Sequence, residues 1–392
     1  LVSSGVQQLR TRVDDARARW VDLVPSLEDL PTWRADFPDE IDHMGRTHGH
    51  SSLVGVVHVD GNGVGNLIKG WLDRCLEQDA DDETVQAQYR EWSDAIDAAG
   101  RAALQAAVQR VAGCVDAADD HCELRGTPVE HGYRLHDWRD DRIHRRPPRT
   151  VLLPLRPVLL GGDDLTFLCD GRIALDLAVT ALREIERHEI PHLGPGDEPA
   201  TLTACAGVAF VKAHAPFHRS YELADDLCRC AKRARVEANE GAATETGSWL
   251  DWHVGTMRPG ETVSQIRDRV YSRGTTELSM RPYPVAETTH RSQSWTWLDD
   301  ELLGPASEGG ARGLRGADAW SGSRSRVKAL ASVVLDGPQE VRRQLEVWRA
   351  TGSEARLPGG LDDGGYIGAR TPLLDAIELL DLHVRLELGV SQ

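Results

Sequence analysis

The chain has 392 residues, 40% of them hydrophobic and 27% charged, with a formal net charge of −17; this allows two domains and a sizeable core within the composition of soluble globular proteins. The negative balance excludes broad, non-specific adhesion to nucleic acid or anionic membrane, because no general positive field draws in a polyanion, while small charged ligands held through metal ions remain compatible with it. Seven cysteines, at 75, 114, 122, 169, 205, 228 and 230, follow no secreted-scaffold spacing, Leu1 to Arg10 lack the apolar core of a signal peptide, and no run reaches the ~18 apolar residues of a membrane span, so a cytoplasmic protein with no membrane partner is expected.

Residues 5–24 read as a polar helix, and Pro25 to Ser52, rich in Pro, Asp, Gly and His, as a lead-in without a core of its own. From Leu53 the run LVGVVHV ends in Asp60 and a Gly-rich turn, the pattern of a buried strand that stops at a functional loop. Helices are expected over 64–77 and 83–113, the second with Ala103, Ala106, Ala107, Val108 and Val111 on one stripe. Regular pattern is lost between Ala117 and Arg149, where RDDRIHRRPPR (139–149) reads as a solvated basic loop, with a loop lying beside a triphosphate as the lesser reading.

VLLPLRPVLL (151–160), GGDD (161–164) and LTFL (165–168) read as two strands joined by a tight Gly-Asp hairpin turn. A helical face follows on 172–188, then a strand over 201–213 with Leu202, Ala204, Ala206 and Val208 on one side. After Pro216 a helix repeats Tyr221, Ala224, Leu227, Ala231 and Ala234 at three and four residues, and a short strand is expected over Ser248 to Val254. The order strand, helices, hairpin, helix, strand, helix, strand predicts an α+β chain: a split βαβ sheet with helices on one face, the ferredoxin-like or palm arrangement. The expected organisation is a lead-in over 1–52, the palm over 53–257 with a helical insertion at about 78–150, a linker-rich region over 258–324, and a small helical C-terminal region over 325–392 with helices near 325–335, 338–350 and 371–386.

Asp60 at a strand end, and Asp163 and Asp164 at the hairpin turn, bring three carboxylates to one sheet edge. They repel one another unless divalent cations intervene, and hard, oxygen-ligated Mg²⁺ or Mn²⁺ is the natural occupant. Two such ions about 3.5 to 4 Å apart activate an attacking hydroxyl and stabilise a leaving pyrophosphate. Gly61, Gly63 and Gly65 let backbone N–H groups approach phosphates, and the helix starting near Val64 adds its positive end; Asn62 and Gly162 complete the expected nucleotide-binding set. Each piece alone has an ordinary reading: GGDD as a surface turn, VDGNGVG as a partial dinucleotide turn that fails at Asn66.

HVDGNGVG, LLGGDDLTF and AGVAFVKAHAPFHRSYELADDLCRCAK together resemble, over about residues 50–257, the catalytic palm of the large polymerase-like subunit of type III CRISPR effector complexes, a relative of diguanylate and class III adenylyl cyclases. The resemblance implies a metal-dependent nucleotidyltransferase that condenses nucleoside triphosphates, ATP first among them, into cyclic or short oligonucleotide messengers in antiviral defence. It makes Asp60, Asp163 and Asp164 the metal-binding carboxylates and Lys232 a contact to the triphosphate; as an isolated feature Lys232 is an ordinary solvated helix lysine. Relatives carry a first, degenerate palm that residues 1–52 are too short to supply. Either the chain, which opens on Leu1, is a piece of a longer protein, or it pairs as a homodimer or with another palm, with a CRISPR-type RNA-guided complex as the wider partner. Intramolecular cyclisation to a mononucleotide or dinucleotide is an alternative, and a non-catalytic nucleotide-binding scaffold subunit is the reading from another class.

Other metal readings are weak. Cys114, His121, Cys122 and His131 do not match closed zinc spacing, His43, His48 and His50 fall in the lead-in, and the His136-Asp137 dipeptide sits in irregular sequence. Cys228 and Cys230, two apart on a helix, point to different faces.

Overall fold

The computed structural model describes residues 12, 15, 18–23, 32–45, 53–127, 133–140, 146–191, 199–239, 247–255, 257–258, 260–288, 291–304, 313–316, 320, 324–353 and 355–388. Most of the helix expected over 5–24, His48, His50, His131 and much of the segment 304–324 lie outside the described residues.

The main sheet is built from β1 (Leu53–Gly61), β2 (Leu155–Gly161), β3 (Asp164–Asp170), β4 (Ala204–Lys212), β5 (Trp249–Val254) and β6 (Tyr283–Pro284), in the spatial order β6-β5-β4-β1-β3-β2. Only the β4–β5 pair is parallel. Between β1 and β2 run α1 (Val64–Glu77) and α2 (Asp82–Ala112); α3 (Ala174–Ile185) joins β3 to β4, and α4 (Phe217–Asn239) joins β4 to β5. The chain is therefore α+β, with β1 at the centre.

Helices cover both faces of this sheet, a correction to the one-sided expectation. Val57 and Val59 belong to a buried cluster with Ala103, Leu104 and Ala107 of α2 and Leu175, Ala178 and Leu182 of α3. Val54 and Val56, of opposite parity, pack instead with Leu223, Ala224 and Leu227 of α4. The cause is legible in the strand itself: LVGVVHV is apolar at consecutive positions, which is how a strand buried on both sides reads, while a half-solvated strand alternates. α4 lies directly on β4 at Gly207, where an added Cβ would stand 1.9 Å from the Ala224 carbonyl oxygen and 2.5 Å from the Cys228 nitrogen. Only glycine permits that approach.

Residues 151–160 form two segments where one strand is expected. Thr150–Leu152 pairs in parallel with Arg34–Asp36, and the chain then passes Pro154 to enter β2; a residue without an N–H cannot continue the ladder. Ordered structure also extends past the expected palm limit. β6 adds to the sheet edge beside β5, and α5 (Val263–Val270) carries Arg267 to the fully buried Asp251. The three C-terminal helices form as α6 (Arg324–Val334), α7 (Pro338–Ala350) and α8 (Leu373–Leu380). α8 ends before the expected limit because Arg385–Leu386 extends to pair with Gly126–Thr127. Leu330, Val341, Leu345 and Leu379 share the buried cluster of the sheet. Among the described residues no helix is long and apolar enough to cross a membrane.

Candidate functional site

Strand pairing brings the predicted carboxylates to one edge. Asp60, the penultimate residue of β1, lies opposite Asp164, the first residue of β3, and the preceding pair on the same face is His58 opposite Thr166. β2 and β3 close through Gly162 and Asp163, with Gly161 opposite Asp164. Gly162 has φ +63°, which suits the first position of a type II′ hairpin turn. Asp163 packs beneath the first loop: a Cβ on Gly61 would meet the Asp163 Cβ at 2.8 Å and its Oδ2 at 3.0 Å. A side chain at 61 would push the two carboxylate-bearing turns apart.

The loop 61–63 leads into α1. Its N-cap is Gly63 at φ +70°, and no side chain caps the helix, so the N–H groups of the first turn point outward without a side-chain partner. Beside Gly63, Gly65, Gly161 and Gly162 the space a Cβ would occupy is open. Asn62 faces inward. Its Nδ2 donates to Thr203 Oγ1 at 3.1 Å and its backbone N–H to the Thr203 carbonyl at 2.8 Å. Its side chain is thus committed to bracing the loop, and what the loop offers a ligand is backbone.

Lys232 comes to this edge from α4. Its Nζ is 2.5 Å from Asp60 Oδ2 and donates to the Gly61 carbonyl at 2.7 Å, with about a third of each charged side chain exposed. It is an ion-paired residue of the site, not a freely solvated helix lysine. Burial pushes the carboxyl pKa of Asp163 upward, and Asp60 adds to this. Asp164 is raised by burial first and then by Asp60 and Asp163. One ammonium therefore faces three carboxylates, and the edge is short of positive charge.

The three carboxylates do not close on a single point. Among the described residues, the metal-ligating atoms that fall within 4.8 Å of one another are those of His58, Asp60 and Cys228. Mutual repulsion and the pull of Lys232 turn Asp60 toward α4. His58 is buried, with Nδ1 3.0 Å from Thr166 Oγ1, Nε2 3.9 Å from Asp225 Oδ1, and Tyr221 edge-on to its ring. Desolvation lowers its pKa, against the opposing pull of Asp225, Asp164 and Asp60.

His58, Thr166, Asp225 and Cys228 were not expected here. The signal for them is period: His58 shares the face of Asp60 two residues on, and Tyr221, Asp225, Cys228 and Lys232 recur at three and four residues along α4. Cys228 and Cys230 do part, into different buried clusters. No protein-family model matches the chain, and no curated protein matches its sequence.

Proposed function

We propose that this chain is a ferredoxin-like palm of the type III CRISPR polymerase-like kind, joining nucleoside triphosphates through their phosphates with release of pyrophosphate. The observation that carries the reading is Asp60 opposite Asp164, with Asp163 packed against Gly61, beside an uncapped helix N-terminus and Lys232. The order β4-β1-β3-β2 with α2 and α3 on one face supports the palm reading; α4 and β5 are additions to it.

The donor set suits a hard cation: three part-buried carboxylates, two with raised pKa, and a single ammonium. Asp60, Asp163 and Asp164 would hold Mg²⁺ or Mn²⁺, which when bound offsets charge on the transferring phosphoryl group. The protein's own groups do the positioning. Backbone N–H groups at Gly63 and the start of α1 receive phosphate oxygens along the helix dipole. Lys232, already tethered at the edge by Asp60 and the Gly61 carbonyl, brings a point charge to a triphosphate. The 3′ oxygen of one nucleotide forms a bond to the α-phosphorus of another, and the bond from that phosphorus to pyrophosphate breaks.

One palm presents one triphosphate, so the attacking nucleotide comes from a second palm, by default a second copy of this chain. Incubation with each triphosphate and Mg²⁺ or Mn²⁺, followed by mass spectrometry, tests the reading. A new phosphodiester with pyrophosphate is expected, and ATP is the expected substrate. Silence with every triphosphate, in folded protein and with RNA activators added, overturns it; sedimentation of an active strict monomer overturns the pairing.

A further inference from the structure

Between β1 and α4, on the inner side of Asp60, lie His58, Asp225 and Cys228, side chains that phosphoryl transfer does not use. His58 and Asp60 leave β1 on one face, and Asp225 and Cys228 meet them from α4. The ligand atoms of His58, Asp60 and Cys228 lie within 4.8 Å of one another, and His58 and Cys228 are only 3% and 1% exposed. Cys228 Sγ is 3.1 Å from the Cys205 carbonyl oxygen, the one partner of an otherwise buried sulfur among the described residues.

The imidazole is held in one orientation. Thr166, fully buried and opposite His58 on β3, meets Nδ1 at 3.0 Å. Nδ1 is tied to that hydroxyl and Nε2 lies on the side of Asp225; in a metal-bound state Nδ1–H would donate to Thr166 and leave Nε2 its lone pair for the ion. The 3.9 Å to Asp225 Oδ1 is too long for a hydrogen bond. A ring held at one nitrogen by a hydrogen bond, with a carboxylate oxygen and a thiol sulfur within 4.8 Å of its ligand nitrogen, is an arrangement that a metal-binding histidine adopts.

We propose that His58, Asp60 and Cys228, with Asp225 as fourth donor, form a site for a thiophilic divalent first-row metal ion of the Zn²⁺ type. One nitrogen, one sulfur and carboxylate oxygens suit Zn²⁺ or Co²⁺; Mg²⁺ takes oxygen alone. Binding releases the Cys228 thiol proton to solvent, parts the thiol from the Cys205 carbonyl, draws Asp225 from Arg229, and takes Asp60 from Lys232. Because Asp60 belongs to both sets, an ion here excludes an oxygen-bound ion from the sheet edge. This consequence for turnover, unlike the site itself, rests on the nucleotidyl-transfer reading.

The full chain titrated with Co²⁺ tests the site. A thiolate-to-cobalt absorption band that saturates at one equivalent is expected, removed by Cys228→Ser and strongly weakened by His58→Gln. Thr166→Val, which removes only the hydroxyl that orients the ring, weakens Co²⁺ affinity about 10- to 100-fold. Cys230→Ser and the pair Asp163→Ala/Asp164→Ala keep the band. Folded parent protein without the band, or a band that survives Cys228→Ser, overturns the proposal. In a second arm Zn²⁺ suppresses Mg²⁺-dependent pyrophosphate release, and Cys228→Ser raises the Zn²⁺ concentration for half-inhibition at least about tenfold, the 1.4 kcal/mol scale of a weakened ligand; equal inhibition of parent and variant overturns the competition. The optical arm needs no turnover, so a chain that binds Co²⁺ but makes no product separates failure of the enzyme reading from failure of the metal site.

Discussion

Two carboxylate clusters in this chain differ in how their charge is met. Behind β5 and β6, Asp375 is fully buried and accepts from Ser279 Oγ at 2.8 Å, the Met280 N–H at 2.7 Å and the Tyr283 hydroxyl at 2.8 Å, while Arg281 Nε stands 2.9 Å away. The same guanidinium reaches Glu378 at 3.1 Å and the Trp252 carbonyl at 3.0 Å. At the edge of β1 and β3, three part-exposed carboxylates share one ammonium. A buried acid whose oxygens are all met by donors is a structural device, whereas acids left short of donors at a sheet edge are, in the function proposed above, what a ligand bringing positive charge would meet.

The contrast breaks most sharply under substitution. Asp163→Ala with Asp164→Ala lowers product formation to the level of a control without enzyme while circular dichroism stays unchanged, since removing mutual repulsion does not harm the fold. Product near the parent level in that folded variant would place the catalytic centre elsewhere. Asp375→Ala acts in the opposite sense: it leaves Arg281 buried with a partner missing and costs about 3 to 5 kcal/mol of stability, read from urea midpoints at constant slope. A loss under 1 kcal/mol would mean that the network is not what holds α8 to the sheet.

A smaller effect sharpens the role of the single cation. Lys232→Ala lowers kcat/KM by the equivalent of about 1.5 to 3 kcal/mol, typical of a charged hydrogen bond. Triphosphate calorimetry shows the loss in affinity, and unchanged binding and turnover would leave Lys232 as a partner of Asp60 alone. The smallest effect concerns protons. Burial raises the folded carboxyl pKa of Asp163 and Asp164 above the ordinary value, so between those values the folded chain binds more protons than the unfolded one. The stability linked to this is present below the window and lost as pH rises through it. Metal-free parent protein therefore gains stability relative to Asp164→Asn as pH falls from 7 toward about 4; urea midpoints that move the other way would remove the like-charge account.

Much of the sheet was legible because its strands end on chemistry: an apolar run stopping at Asp60, a Gly-Asp turn between two apolar segments, and a period of three and four on α4. Its sidedness was missed although the parity of Val54 and Val56 against Val57 and Val59 carried it. Other features depend on partners far away in sequence. Nothing local to Thr150–Leu152 announces Arg34–Asp36 as its neighbour, and nothing in Tyr283–Pro284 marks it as the strand that extends β5. The same holds at the site. Lys232 and Gly61, 171 positions apart, meet because Gly207 seats α4 on β4, and the inward turn of Asn62 depends on Thr203, 141 positions on.

Arg110 near the end of α2 donates to the Leu386 carbonyl at 2.5 Å across 276 positions, and the same late segment pairs with Gly126–Thr127. During synthesis at ~5–20 residues per second, the C-terminal half of that bond follows its N-terminal half by tens of seconds. Over that interval the strand edge at Gly126–Thr127 and the guanidinium of Arg110 lack the partners of the finished molecule, although Asp176 can already receive the guanidinium once α3 emerges. Loop closure over such a span comes late on entropic grounds as well. The nascent protein thus carries an open edge at Gly126–Thr127 until Arg385–Leu386 is made, which sets an interval in which a chaperone has this edge to protect.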